Sequence, residues 1–429
     1  MKAKLLTLFL SGFFLSHVLS AQTDSSKTIL LDLEFRPRIE YRNGYRQLPN
    51  DTTEAAYFGT QRSRLKITYT QQRFKFHTSI QDLRVWGQYG QVSTGGSLNV
   101  FEAYIESYFT ENLFMRIGRQ KVELDNGKIF SAADWSQAGR SQDGLNLIYE
   151  KRKVKSELMA FFNQASEAVF ETSYSPTTFT NYKLLNVHFM KVNVDKHLSL
   201  TTINAADGYQ SKISSGTLYV RGTSGGRLEF EKDNLYLTMS GYYQYGQLQS
   251  GKEIAAYYLQ PEVKYKIEKF TTRLGAEYMS GDDATATSNI SKSFIPLYGV
   301  TWKFFGNMDY FISFPNDLKN GGLINPYLFL FYDINHKTTV RADMHLFYLQ
   351  NKVLDKDKEE INPYLGFEND LSIRFKINSF STLDYGFSWM KAEQSMEKLK
   401  GGDSGRIPFW TYLMITFKPE LFKQTLKTK

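Results

Sequence analysis

From Leu31 to Arg42 the chain alternates without a break. The odd positions, Leu31, Leu33, Phe35, Pro37, Ile39 and Tyr41, are apolar, and the even positions, Asp32, Glu34, Arg36, Arg38, Glu40 and Arg42, are all charged. Successive side chains of a strand point to opposite faces, so one face is greasy and the other ionic. The period returns at Leu65, Ile67 and Tyr69 against Arg64, Lys66 and Thr68, and at Phe101, Ala103 and Ile105 against Glu102, Tyr104 and Glu106. It returns again at Val340, Ala342 and Met344 against Arg341, Asp343 and His345. The segments run roughly 10 to 16 residues, longer than the ~5–6 usual in soluble sheets and suited to tilted membrane strands of about 9–11 with extensions.

Connections alternate short and long. Gln71–Gln72, Lys151–Lys153 and Asp233–Asn234 are tight turns, whereas "NGYRQLPNDTTEAAY", "VELDNGKIFSAADWSQAGR" and "SMEKLKGGDSG" are long. About 18 strands follow, from 28–43 through 142–151 and 253–267 to 407–418, with ragged alternation at 142–164, 196–232 and 322–334. The predicted fold is all-β, a single closed antiparallel barrel over residues 22–429, with tight periplasmic turns and long external loops. One face meets lipid and the other water, and closure satisfies every backbone N–H that lipid cannot. The longest connection, 281–321, and the region 120–140, which holds Trp135, are expected to bend into the pore. Pro37 and Pro261 fall inside strands, where bulges or interfacial positions are expected.

The first residues, "MKAKLLTLFLSGFFLSHVLSAQ", carry Lys2 and Lys4, an apolar stretch and small residues at Ser20 and Ala21. That is the pattern of a removed signal peptide, residues 1–21, and its loss lowers the formal charge from +8 to +6. No run of about 20 apolar residues follows to make a membrane helix. The 33 Phe and 28 Tyr suit aromatic girdles at the two interfaces, and the absence of Cys excludes thiol chemistry and a lipid anchor on Cys.

Candidate chemistry outside transport is thin. His77, Ser79 and Asp82 stand close in sequence, but His77 and Ser79 share the lumen face, away from a lipid substrate. His345 beside Asp343 reads as a structural pair. Asp282 and Asp283 supply too few oxygens for a hard cation, so no metal, cofactor or enzymatic activity is expected. Arginines alternating with lipid-facing residues account for the basic charge without nucleic acid.

The stretches "EFRPRIEYRNGY", "GRQKVELDNGKIFSAADWSQAGRSQDGLNLIYE", "FIPLYGVTWKFFGNMD" and "LGFENDLSIRFK" occur in an order that resembles the alginate-export family of outer-membrane porins. The central block, with Gly118-Arg119-Gln120, Trp135, Gly139-Arg140 and Asp143-Gly144, is the most specific. The resemblance implies an 18-stranded monomeric barrel in a Gram-negative outer membrane, with an Arg- and Lys-lined lumen that passes an anionic polysaccharide. It carries the substrate path to Arg36, Arg38, Arg62, Arg64, Arg116, Arg119, Arg140 and Arg374. Lys66 joins them, with Glu34, Glu40 and Asp143 as acidic partners and Trp135 on a constriction loop. Inward Tyr236, Thr238, Tyr242, Gln244, Tyr258 and Gln260 suit neutral solutes as well. The expected function is therefore a channel for small anions or an acidic oligo- or polysaccharide. A general uptake porin and a structural or adhesive barrel are the alternatives, and membrane lipid and periplasmic components are the expected partners.

Overall fold

A computed structural model describes residues 26–90, 96–170, 182–211 and 216–427; the proposed signal peptide lies outside them. The wall begins with β1 (Ser26–Asn43), β2 (Ala56–Gln71), β3 (Phe74–Val85), β4 (Asn99–Tyr108), β5 (Leu113–Gln120) and β6 (Gln142–Lys151). It continues through β7 (Val154–Phe162), β8 (Leu184–Asn193), β9 (Leu198–Gln210), β10 (Leu218–Lys232), β11 (Leu235–Gln247) and β12 (Glu253–Ile267). Then come β13 (Phe270–Met279), β14 (Leu323–Asn335), β15 (Thr338–Leu349), β16 (Tyr364–Lys376) and β17 (Ser381–Ala392). The last place, β18, is shared by Phe409–Phe417 and Glu420–Lys427, which both pair antiparallel with β1 and close an 18-strand barrel. Between them Pro419, which has no N–H to give, still accepts from Leu33 N at 3.1 Å.

The alternation fixes which face is which. Ile29, Leu65, Ile105, Leu237 and Ile373 are exposed on the outside, whereas Glu34, Arg36, Arg62 and Arg64 are buried within. A one-residue slip would turn those arginines to lipid at about 2–4 kcal/mol each near the midplane, so the register is strongly held. At one end of the barrel the hairpins close in two to four residues, and Gln72, Arg152, Asp233 and Glu268 each open a two-residue turn with positive φ.

The prolines behave differently from expectation. No register shift accompanies Pro37 or Pro261. The pairing of β1 with β18 instead skips Arg36 and Pro37 and resumes in the same register at Arg38 opposite Met414. β12 and β13 likewise skip Gln260 and Pro261. A missing N–H costs one rung on one side, and the neighbour on the other side keeps the strand in line.

The lumen is largely filled from the long-loop end. The β5–β6 connection, residues 121–141, buries Val122, Leu124, Ile129 and Phe130 in one cluster with Met159, Phe161, Leu185, Val187, Phe189 and Ile203 from β7 to β9. The β13–β14 connection, residues 280–322, holds a two-residue strand, Ile290–Ser291, parallel to β12, and two single 3-10 turns. Its Phe294, Phe304, Phe305, Met308, Phe311 and Leu318 belong to the same cluster with Tyr258, Leu323 and Phe347 of the wall. A short helix, Gln394–Lys400, lies in the β17–β18 loop.

Candidate functional site: a constriction of two inward loops

The two loops meet inside the barrel. Ser131 N donates to Tyr298 O at 3.0 Å and Tyr298 N to Ile129 O at 3.0 Å, while the Phe130 and Tyr298 rings meet at a tilt with centroids 5.3 Å apart. The Trp135 and Trp302 rings lie 5.8 Å apart, and Trp135 also meets Trp410 and Tyr412 of β18 edge-on. Two backbone hydrogen bonds and a shared aromatic cluster make the loops one structural unit.

Loop 121–141 is held at four places around the lumen. Its apolar side lies on β7–β9. Beyond that, Asp125 pairs with Arg227 of β10 at 3.1 Å, and Lys128 meets Glu277 of β13. Its returning arm is gripped by the arginines of β1 and β2. Arg36 donates to Asp134 O at 2.8 Å, Ser136 O at 2.6 Å and Gln137 Oε1 at 3.2 Å. Arg62 and Arg64 reach Asp134 Oδ1 at 3.1 and 3.0 Å, and Arg64 also donates to Gln81 Oε1 at 2.7 Å. Arg62 in turn pairs with Glu34, which is also approached by Lys66 at 3.4 Å. Gly139, at φ +72°, makes the turn there, and a Cβ on it would stand 2.6 Å from the Phe101 ring that Arg64 covers.

Burial and charge set the loop's own ionisation. Burial pushes the Asp134 carboxyl up, but Arg62 and Arg64 outweigh it and hold that carboxyl below the usual range. Burial pulls the Lys128 ammonium down to about 7, with Glu262 acting the other way. It also draws the Arg140 guanidinium down to about 10. Arg140 hydrogen-bonds the Tyr298 carbonyl of the other loop.

The remaining sequence-predicted residues fall in three places. Arg38 pairs with Glu40 at 2.9 Å and lies over the Trp135 ring at 4.5 Å; Glu40 also takes Arg42 and Trp410 Nε1. Nearer the short turns, Arg116 pairs with Glu106 at 2.7 Å and Arg374 with Asp384 at 2.6 Å, both on the lumen face. Asp143 corrects the expectation. It sits opposite Arg119 and pairs with it at 2.6 Å, and both share the ladder face of Ile117 and Leu145, which is the lipid side, yet at the rim Arg119 still lines the cavity between the loops. The side-chain period puts them there at the rim, because the inward neighbours are Gln120 and Gln142.

Sequence reasoning missed Asp134, Lys128 and the Arg46–Asp309 pair at 2.8 Å, which ties the β1–β2 loop to loop 280–322. Of the inward Tyr and Gln residues of β11 and β12, Gln244 and Tyr258 are engaged in docking. Gln244 bonds both the N–H and the carbonyl of Ile295, and Tyr258 meets Phe294 and Phe304. No catalytic set forms at His77, which bonds Thr68 Oγ1 at 2.8 Å while Asp82 pairs with Arg84. His345 likewise bonds Asn325, and Asp343 pairs with Arg341. Asp282 accepts from Lys292 N and Asp283 from Thr285.

Between the loops remains a cavity of about 870 Å³. Its lining includes Arg46, Arg140, Ser136, Tyr298, Trp302 and Asn316, and no Asp, Glu or Lys.

The alginate-export family model matches residues 29–381. No curated protein matches the chain. Among solved structures, OccAB1 of Acinetobacter baumannii is similar at TM-score 0.64 and 12% identity, over 92% of this chain and 97% of that one. The outer membrane protein OpdK of Pseudomonas aeruginosa is similar at TM-score 0.62 and 10% identity, over 94% and 100%. A second OpdK structure, with vanillate, aligns at TM-score 0.60 and 10% identity, over 93% and 99%. At such identity the likeness is one of fold, and it is the family match across most of the wall that assigns the chain: it belongs to the alginate-export family of Gram-negative outer-membrane β-barrel channels.

Proposed function

We propose that this channel passes small anionic solutes, carboxylates and acidic sugars among them, along the space between its two inward loops. The carrying observation is the cavity itself, whose lining has arginines and no acidic side chain. A guanidinium gives a carboxylate two parallel donors in place of water, and exposure to water keeps the contact reversible. Lys66, Arg116 and Arg374 continue basic character toward the short-turn end, each beside an acid that limits the local surplus. OpdK, similar in fold, has been crystallised with vanillate, an aromatic carboxylate. Small solutes are favoured over a polysaccharide because the loops are locked into the wall by a continuous apolar cluster. A polymer chain would have to expel them. Residues 1–21 are read as a signal peptide that directs export and is then removed.

The test is the zero-current potential of the purified channel in a planar bilayer under a KCl gradient. At low salt the potential should favour chloride, and the preference should fade as the screening length shortens to about 3 Å near 1 M. Preference for potassium at low salt would overturn the anionic reading.

A further inference from the structure

We propose that Asp134 is a tethered carboxylate occupying a solute site formed by Arg36, Arg62 and Arg64, and that an incoming carboxylate binds there by displacing it. The inference rests on the anionic reading above.

The geometry is that of a bound ligand. One carboxylate oxygen of Asp134 receives Arg62 at 3.1 Å and Arg64 at 3.0 Å, and the backbone oxygens of Asp134 and Ser136 fill the remaining fork of Arg36. The arginines belong to the rigid wall, and Arg62 and Arg64 are 0% and 2% exposed. Asp134 belongs to a loop, and its side chain is 41% exposed. The receptor is therefore buried and fixed, and the group filling it stands at the edge of water. Charge points the same way. Three guanidiniums face two carboxylates, Glu34 and Asp134, so withdrawing Asp134 leaves a stronger anion site than the one it quits. A free carboxylate can make the same two hydrogen bonds as Asp134. Trp135, the next residue, lies beneath Arg38 and edge-on to Trp410, so a shift of Asp134 moves an aromatic side chain at the contact between the loops.

The test is block of KCl current in planar bilayers by sodium D-galacturonate, with D-galactose as the neutral counterpart of the same ring. A covalently tethered competitor holds an effective concentration of millimolar or more, so Asp134→Asn should lower the half-blocking concentration of galacturonate about tenfold. Galactose should act equally weakly on both proteins. Restoring weak block by adding Arg62→Gln to Asp134→Asn would place the solute on the arginines. An unchanged half-blocking concentration in Asp134→Asn overturns the proposal. So does failure of both Asp134→Asn and Asp134→Ser to show folded, heat-modifiable mobility, which would make Asp134 a strut of the fold. The zero-current potential of the unmodified channel is read separately. Cation preference there with a tenfold shift here would retain the tether and reject the anionic function.

Discussion

Lys128, at the far reach of a loop that leaves the wall between β5 and β6, contacts Glu277 on β13, 149 residues away in sequence. The pair fixes the loop across the lumen instead of along its rim. Glu277 is 1% exposed, and its other oxygen accepts only the Tyr258 hydroxyl at 2.5 Å. Replacing Lys128 with Met would leave that carboxylate buried beside an apolar side chain. Breaking one partner of a buried pair costs about 3–5 kcal/mol. At pH 6, where Lys128 is charged, Lys128→Met should expose residues 121–141 to limited proteolysis while the barrel keeps its β-rich circular dichroism. Unchanged cleavage would show that the pair does not hold the loop.

A second consequence concerns acid. The carboxyl of Asp134 titrates below its ordinary value because Arg62 and Arg64 outweigh its burial. Its contribution to docking is thus complete above about pH 3.9, the unperturbed value, and is lost as pH falls through the lowered one. Single-channel conductance should stay level from pH 6, where Lys128 is charged, to about pH 4 and rise below it. Asp134→Asn should remove that acid-dependent rise. A rise already complete by pH 5 would assign it to another group.

On the opposite side of the loop the hold is apolar. Phe130 is 1% exposed, packed with Tyr298 and in the cluster that includes Phe161 and Leu185. Truncating such a side chain costs about 3–5 kcal/mol through lost transfer energy and the cavity left behind. Phe130→Ala should therefore produce frequent current fluctuations from a loop that leaves and returns. A current as steady as the unmodified one would show that the ionic contacts suffice.

Most of the wall was readable because lipid outside and water inside impose opposite chemistry on alternate residues. Gln142–Lys151 and Glu253–Ile267 begin and end where the pattern places them. The pattern was ragged at 142–164 and 196–232 for a physical reason. Phe161, Leu185, Val187 and Ile203 point inward yet are apolar, since loop 121–141 lies on them in place of water. Apolar residues on both faces of neighbouring strands are the signal that could have announced the plug. The arginines of the opening segment were legible as inward-facing, but their partners were not. Arg36, Arg62 and Arg64 find backbone carbonyls and Asp134 about 70 to 100 residues away, contacts that no local spacing encodes. Asp143 failed as a lumen residue because a family motif says which residues recur, while its face follows from the parity of the ladder.

The constriction is built by an inward loop, so its most direct test removes that loop. A chain in which residues 123–139 are replaced by a short Gly-Ser linker should still fold, since β5 and β6 pair from Leu113 opposite Tyr149 to Gln120 opposite Gln142 without it. Its single-channel conductance in 1 M KCl should exceed that of the full chain several-fold, because barrels of this strand number are wide enough for an aqueous channel once unobstructed. Equal conductance in a folded, heat-modifiable barrel would contradict the account and place the resistance elsewhere in the lumen.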